Sequence, residues 1–131
     1  MASALSKFPR RRALVRTQGY LYWRLGRILQ AQERFARIVQ RRAGDADALQ
    51  MLAQCSYRLG HADEALRLAR QAMKAAPELP VVRATYGELL LAAGQAQAAV
   101  PELKSAADAR PRDAPLLALL ARACFEVHDL D

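Results

Sequence analysis

The sequence is poor in the residues on which several protein classes depend. Its 131 positions include only two cysteines and 6% aromatic residues, and β-branched side chains, which favour strands, are few. Alanine and leucine, two of the strongest helix formers, are abundant instead. A chain of this length buries roughly two thirds of the surface that it exposes when unfolded, so its core needs no disulfide or metal. The composition therefore predicts a single all-helical domain.

The two cysteines, Cys55 and Cys124, belong to no CxxC motif and to no cluster of cysteine and histidine. We interpret both as small buried residues of a protein in a reducing compartment. The longest apolar run, residues 114–121, is far shorter than the roughly 20 residues that a membrane-spanning helix needs. We therefore expect a cytoplasmic protein that has no membrane span and binds no cofactor.

Acidic residues are scarce at the start of the chain. Residues 1–42 contain eleven Lys and Arg and one acid, Glu33, whereas residues 43–131 contain nine basic and twelve acidic residues. Arg16 and Arg24 interrupt the apolar stretch that a secretory signal would need, so we expect no such signal. A transit peptide would suit this composition, but the repeat pattern described next includes these residues. The asymmetry of charge indicates an acidic partner or surface near the N-terminus, or a basic face that only keeps the protein in solution.

A period of 34 residues runs through the chain. Its central column holds Gly26, Gly60 and Gly94, with His128 at the fourth position. Small residues occupy the columns seven before and five after the glycine: Gly19, Ala53, Gly87 and Ala121, then Ala31, Ala65 and Ala99. Further columns hold Phe35, Ala69 and Leu103 and, at the end of the period, Ala43, Pro77 and Pro111. Because small residues allow two backbones to approach closely, these columns predict packed pairs of helices.

Each period predicts a helix, a turn at the glycine, a second helix and a stop. Glycine accepts a positive φ in the turn, and proline ends a helix because it has no backbone N–H to donate. Asp45 and Asp113 are predicted N-caps, and Gly44 is a predicted C′ residue where Ala43 replaces the closing proline. Pro101 should kink the first turn of its helix or delay its start. The predicted helices cover residues 12–25, 28–42, 46–59, 62–75, 80–93, 96–109 and 113–127.

At these columns the chain resembles the tetratricopeptide repeat family, whose 34-residue unit is a helix-turn-helix that ends on a proline. The resemblance implies an all-α fold, an α-solenoid of about three and a half repeats that forms a right-handed superhelix. It implies a single domain at residues 12–131, preceded by a basic N-terminal tail at residues 1–11. The repeats would span residues 12–45, 46–79 and 80–113, followed by a terminal helix at residues 114–131.

The sequence displays no catalytic motif. It contains no phosphate-binding loop, no HExxH and no nucleophile elbow. His61 and His128 fall in the turn column, where we interpret them as polar turn residues and not as metal ligands or acid–base groups. An enzyme is therefore the least favoured class, and we predict no catalytic, cofactor-binding or metal-binding residues.

The resemblance implies that the first helix of each repeat lines a concave groove that binds a protein partner. The positions of this sequence that match the family's groove are Arg16, Tyr20, Trp23, Arg24, Gln50, Gln54, Tyr57, Arg58, Thr85, Glu88, Arg122 and Phe125. Aromatic rings and arginines in one groove favour an apolar partner segment with acidic flanks. The alternative is that Tyr20, Trp23 and Tyr57 simply pack between helices.

Several functions remain open at this stage. The leading hypothesis is an adaptor or chaperone that binds a peptide or helical segment of a partner. Co-chaperones of the family hold a C-terminal carboxylate with Lys and Asn side chains, a pattern that only Arg16 matches here. The size, the architecture and the stretch "QGYLYWRLG" resemble small type III secretion chaperones that hold an export subunit. The remaining alternative is binding of nucleic acid or of an acidic surface by the basic N-terminal helices, and of these two we do not favour nucleic acid.

The last predicted helix carries more apolar residues than one packed face requires. Its sequence, "PLLALLARACFEV", includes four leucines, Phe125 and Val127, and the second helix of that repeat would have to begin at "HDLD". Because an exposed apolar patch marks an interaction site, we expect this helix to be covered by a second copy of the chain or by the partner.

Overall fold

The structure is a computed structural model that describes residues 9–129, and within that range the chain consists of helices joined by short turns, with no strand. Seven helices follow one another: α1 (Pro9–Arg24), α2 (Ile28–Arg41), α3 (Ala46–Arg58), α4 (Ala62–Ala75), α5 (Pro80–Ala92), α6 (Ala96–Ala109) and α7 (Ala114–Asp129). Each helix predicted from the sequence is present with ends that shift by at most a few residues. The predicted basic tail at residues 1–11 lies mostly outside the described residues, and α1 begins at Pro9, a residue type favoured in the first helical turn.

The glycine column closes each helix pair in the same way. Gly26, Gly60 and Gly94 have φ values of 77°, 88° and 80°, and no other residue in the described range has a positive φ. At the first turn the N–H of Arg27 donates to Tyr22 O at 2.9 Å, and the N–H of Gly26 donates to Trp23 O at 3.0 Å. This pair of bonds is the Schellman arrangement, in which glycine satisfies the last carbonyls of a helix without a Cβ clash.

Glycine also allows the two helices of a repeat to touch. A Cβ built on Gly87 would lie 2.7 Å from Leu103 Cγ, and one built on Gly19 would lie 2.9 Å from Phe35 Cζ. In the second repeat the corresponding pair is Ala53 with Ala69, both buried. In the first and third repeats a large residue on the second helix therefore faces a glycine on the first helix. In the second repeat both positions are alanine.

Both predicted N-caps are confirmed. Asp45 Oδ1 accepts from Ala48 N at 3.0 Å, and Asp113 Oδ1 accepts from Leu116 N at 3.1 Å. Each bond satisfies one of the free N–H groups at a helix start.

The expectation for Gly44 is wrong, and of the two effects expected of Pro101 the delayed helix start does not occur. Gly44 has no positive φ and is not the C′ residue, because α2 ends at Arg41 and its C-cap is Arg42, whose N–H donates to Ile38 O. Pro101 lies inside α6 and does not delay the start of that helix at Ala96. Pro101 is exposed and only one turn from the helix start, so the carbonyl that it leaves without a donor is close to water.

The helices stack in chain order. Each one packs on the next, and α3 also contacts α5, as α5 contacts α7. One buried cluster extends from Val15 in α1 to Leu89 in α5, and a second from Leu90 in α5 to Ala123 in α7. Cys55 is buried as predicted, whereas Cys124 is only half-buried. No helix in the described range combines the length and the apolar character that crossing a membrane requires.

Candidate functional site

Arg16, a predicted partner-binding residue of α1, pairs with two carboxylates at the start of α3. Its Nη2 lies 2.5 Å from Asp45 Oδ2 and its Nη1 lies 2.7 Å from Asp47 Oδ2. The hydrogen bond to Asp45 raises the pKa of Arg16. Burial alone would raise the pKa of Asp45, but the bonds from Arg16 and from Ala48 N outweigh it, so the pKa of this carboxyl is lowered. The positive charge of Arg16 is therefore largely neutralised within the chain.

Tyr20 joins the same cluster one turn along α1. Its hydroxyl donates to Asp47 Oδ1 at 2.5 Å, and its ring meets Phe35 edge-on with centroids 5.2 Å apart. Burial, followed by the hydrogen bond to Asp47, raises the pKa of Tyr20, so the phenol stays neutral at physiological pH. Tyr20 thus has an apolar face against the core and a polar end that links α1 to α3.

From Asp47 the polar contacts continue into the third repeat. Gln50 is only 2% exposed and its Nε2 donates to Asp47 Oδ1 at 3.3 Å. Thr85 Oγ1 on α5 donates to Gln50 Oε1 at 2.9 Å, and Gln54 Nε2 donates to the same oxygen at 2.7 Å. Gln54 Nε2 also lies 3.2 Å from Thr85 Oγ1. These side chains form one network that joins α1, α3 and α5, which we call the polar ladder: Arg16, Tyr20, Asp45, Asp47, Gln50, Gln54 and Thr85.

Beside the ladder lies a small open cavity, which we call the groove cavity. It has a volume of about 110 Å³ and is lined by Trp23, Gln54, Tyr57, Arg58, Thr85, Glu88 and Leu89. The Arg58 guanidinium carbon lies 4.8 Å from the centroid of the Trp23 ring, which is a cation–π contact between α1 and α3. Tyr57 is 45% exposed at the rim. The lining therefore combines two aromatic side chains with one positive and one negative group.

Glu88 is the acidic group of the groove cavity. Burial of its carboxyl by the surrounding protein raises its pKa, and the nearby positive charge of Arg58 acts in the opposite direction. A cationic or hydrogen-donating group placed beside Glu88 would lower this pKa and favour the ionised carboxylate.

The structure brings together some of the predicted residues and not others. Arg24 is exposed and does not line the groove cavity. On α7, Arg122 donates to Glu126 at 3.1 Å and Phe125 is 67% exposed, and neither Arg122 nor Phe125 lines the groove cavity. Within residues 9–129, no group of three or more His, Cys, Asp and Glu side chains is arranged to hold a metal ion.

Sequence reasoning missed three participants in this region. The sequence marks Asp45 only as an N-cap, although it also binds Arg16, and the predicted groove positions include neither Asp47 nor Leu89. The repeat columns carried a signal for Asp47, because it lies 31 residues after Arg16 and so belongs to the first helix of the next repeat. Opposite charges at such a spacing lie on neighbouring first helices.

The comparison with family models decides the identity of these helix pairs. The model of the tetratricopeptide repeat matches residues 22–89, slightly more than half of the chain. The chain belongs to the tetratricopeptide repeat family. Its predicted fold class, an all-α solenoid of such repeats, is confirmed by the helices described above and by the similar structures described next.

Two tetratricopeptide structures are similar along most of their length. The TPR2B domain of yeast Sti1, solved in a complex with pHsp70, aligns with a TM-score of 0.77 at 16% identity and covers 88% of this chain and 97% of that one. The first tetratricopeptide domain of Spaghetti (RPAP3), bound to the HSP90 peptide SRMEEVD, aligns with a TM-score of 0.83 at 12% identity. The alignment covers 91% of this chain and 97% of that one. At these identities the likeness shows a shared fold.

A curated relative is more similar in sequence but much longer. The Vi polysaccharide export protein VexE of Salmonella typhi is 33% identical over 104 residues, which are 76% of this chain and 16% of that protein. This tetratricopeptide chain therefore spans about a sixth of the length of the relative that it matches.

Proposed function

We propose that this tetratricopeptide chain is a non-catalytic protein-interaction module that binds a segment of a partner protein across α1, α3 and α5. The observation that carries the proposal is the groove cavity, where Trp23, Tyr57 and Arg58 meet at an open surface. Tryptophan, tyrosine and arginine are the residue types that most often dominate the binding energy of protein interfaces.

The size of the groove cavity favours a side chain over a whole small molecule. Sites for small molecules usually have volumes of roughly 300–1,000 Å³, whereas this cavity measures about 110 Å³. Since a water molecule takes up about 30 Å³ of liquid, the space corresponds to a few waters. An apolar side chain of the partner that enters between Trp23 and Tyr57 would displace them and bury apolar surface.

The polar ladder gives this surface a fixed shape before a partner arrives. Because Gln50, Gln54 and Thr85 bond to one another across two helices, the helices are held in one register. A surface that is already ordered loses less conformational entropy on binding. The ladder therefore supports the groove indirectly, and we assign the direct contacts to Trp23, Tyr57 and Arg58.

The charges near the groove cavity favour a partner segment with an acidic flank. Arg58 is exposed and lies over Trp23, so a carboxylate that follows the apolar side chain can reach it. Arg16 contributes little to this charge because Asp45 and Asp47 pair with it, which favours a protein segment over the phosphate backbone of a nucleic acid.

Two narrower expectations stay predictions. One is a role as a type III secretion chaperone. The other is self-association through α7, where Leu116 is buried within the chain while Leu117 and Phe125 remain 41% and 67% exposed. The similarity to a polysaccharide export protein supports export as a setting for the module, but only over 104 residues.

The test uses the full chain and peptides in which a central leucine is flanked by glutamates, with lysine-flanked and leucine-to-glycine versions as controls. We expect binding of the acidic peptide to change the emission of Trp23, the only tryptophan. In titrations followed with a labelled peptide, Trp23→Ala should weaken binding by about 30-fold, equivalent to ~2 kcal/mol. Arg58→Gln should weaken it more at low salt than at high salt.

Phe125→Ala, which removes an exposed aromatic ring outside the groove cavity, is the matched control and should leave the affinity unchanged. Unchanged affinity of a folded Trp23→Ala variant would exclude the groove cavity as the binding site. If Trp23→Ala unfolds the protein while Trp23→Phe does not, the ring belongs to the core and the assignment of this residue is wrong.

A further inference from the structure

A stripe of leucines on α1 faces away from the rest of the protein. Leu14, Leu21 and Leu25 are 55%, 56% and 62% exposed, although large apolar side chains gain free energy when they leave water. Their spacing of seven and four residues places them on one face of the helix, with Gln18 between Leu14 and Leu21. We call these four residues the α1 outer stripe.

The repeat columns show what covers the corresponding face in the later repeats. In the later repeats the column of Leu14 holds Ala48, Val82 and Leu116, which are 0%, 0% and 3% exposed. The column of Leu21 holds Cys55, Leu89 and Ala123, which are 0%, 6% and 0% exposed. These residues lie on α3, α5 and α7, and each of those helices packs on the second helix of the preceding repeat, namely α2, α4 and α6. The α1 outer stripe thus presents the stacking face of a repeat whose preceding second helix is missing from the described residues.

We propose that the α1 outer stripe is a second docking surface, separate from the groove cavity, and that it binds an amphipathic helix of a partner protein with an apolar stripe flanked by acidic residues. The helical form of the partner follows from the columns of Leu14 and Leu21, because their positions are buried on helices that pack on a second helix in each later repeat. The acidic flanks follow from charge. The chain has no acidic residue before Glu33, and the exposed Arg24 and Arg27 pair with no acid within residues 9–129.

The same features disfavour two other occupants. Two copies of α1 packed face to face would bring basic helices together without an acid between them, which opposes pairing. A lipid surface would suit leucines and arginines, but Gln18 lies in the middle of the stripe and its amide would lose hydrogen bonds among acyl chains. A protein helix can offer Gln18 a polar partner.

The experiment uses the full chain and two labelled helical peptides. Both carry leucines at a heptad spacing, and their flanking positions are glutamate in one peptide and lysine in the other. We expect the glutamate peptide to bind at least about tenfold more tightly than the lysine peptide. Leu21→Asp should weaken binding of the glutamate peptide by about tenfold or more, and Leu14→Asp should do the same as a second, independent variant.

Leu117→Asp is the matched control, because it adds the same charge at a partly exposed leucine of α7, at the far end of the protein. It should leave the affinity nearly unchanged, which separates the stripe from general attraction between opposite charges. Tyr57→Ala, at the rim of the groove cavity, should also leave this binding unchanged. Failure at the stripe is therefore distinguishable from failure of the groove proposal.

Three results would overturn this inference. The first is the absence of saturable binding of either peptide. The same conclusion would follow if the Leu21→Asp and Leu14→Asp variants, shown by circular dichroism to be folded, bound the glutamate peptide as tightly as the unmodified protein does. The second is a dimer in sedimentation equilibrium that dissociates in Leu21→Asp, which would make a second copy the occupant. The third is binding to vesicles of anionic phospholipid that the same substitution abolishes, which would make the occupant a membrane.

Discussion

Replacing Gly87 with alanine tests how the two helices of a repeat fit together. Alanine is favoured over glycine inside a helix by about 0.5–1 kcal/mol, so helix propensity alone predicts a gain in stability. The added Cβ, however, would lie 2.7 Å from Leu103 Cγ and 2.8 Å from Leu103 Cδ2, and Leu103 is fully buried. Overpacking of a core costs about 1–3 kcal/mol, so we expect a net loss of roughly 1–2 kcal/mol.

Gly87→Ala should raise the free energy of unfolding, instead of lowering it, once Leu103 is replaced by alanine. Leu103→Ala alone should cost about 2–5 kcal/mol, because it leaves a cavity in the core. In that background Gly87→Ala no longer meets a large side chain, and it should stabilise the protein by about 0.5–1 kcal/mol. The double variant has the alanine pair that the second repeat already contains at Ala53 and Ala69. The difference between the two backgrounds corresponds to a coupling energy of about 2 kcal/mol, within the range measured for residues in contact.

Urea denaturation of the four proteins, followed by far-ultraviolet circular dichroism, measures these differences. The comparison is valid if the dependence of the unfolding free energy on urea is the same in all four proteins. Thermal unfolding should agree, with a shift of about 3–5 °C per kcal/mol for a chain of this size. A gain in stability from Gly87→Ala in the wild-type background, or an equal effect in both backgrounds, would refute the proposed contact.

Three further predictions concern single side chains. Arg16→Gln should lower the free energy of unfolding by about 1–3 kcal/mol near neutral pH, where Asp45 is ionised. Because the folded pKa of Asp45 lies below its ordinary value of 3.8, this difference should be complete above that value and disappear as the pH falls through the folded pKa, which acid titrations of both proteins would measure. Thr85→Val keeps the shape of the side chain but removes the donor to Gln50, so chemical denaturation should show a loss of about 1–2 kcal/mol; unchanged stability would contradict the role of this bond. Burial raises the pKa of the Cys55 thiol to about 11, so alkylation near pH 8, followed by mass spectrometry, should modify it only after unfolding.

Most of the helix ends could be predicted from the sequence because they depend on local chemistry. The turns at Gly26, Gly60 and Gly94 need a positive φ that glycine adopts most easily, and their equal spacing shows the period directly. The side chains of Asp45 and Asp113 accept hydrogen bonds from backbone N–H groups only three residues away. The effect of Pro101 on the start of α6 could not be predicted in the same way, because the cost of a proline inside a helix depends on whether water can reach the carbonyl that it leaves free, which follows from the packing of α6.

The candidate site was only partly predictable. The residues of the groove cavity on α1, α3 and α5 fall in columns that face one side of the repeat, so Trp23, Tyr57, Arg58 and Glu88 could be chosen together. Whether an arginine is available to a partner depends on the charges opposite it. The column of Arg16 predicts a binding residue, but it does not reveal that Asp45 and Asp47 pair with the guanidinium.

Sequence alone is enough to predict the repeat, the order of the helices and the residues that close each turn, because these follow from backbone preferences and from spacing along the chain. Only the folded molecule shows which side chains pair between helices and which apolar faces stay uncovered. Leu21 and Cys55 occupy the same column, yet one is 56% exposed and the other is fully buried. Burial depends on the neighbour that a helix packs against, and the residue's own position in the repeat does not specify whether that neighbour is present.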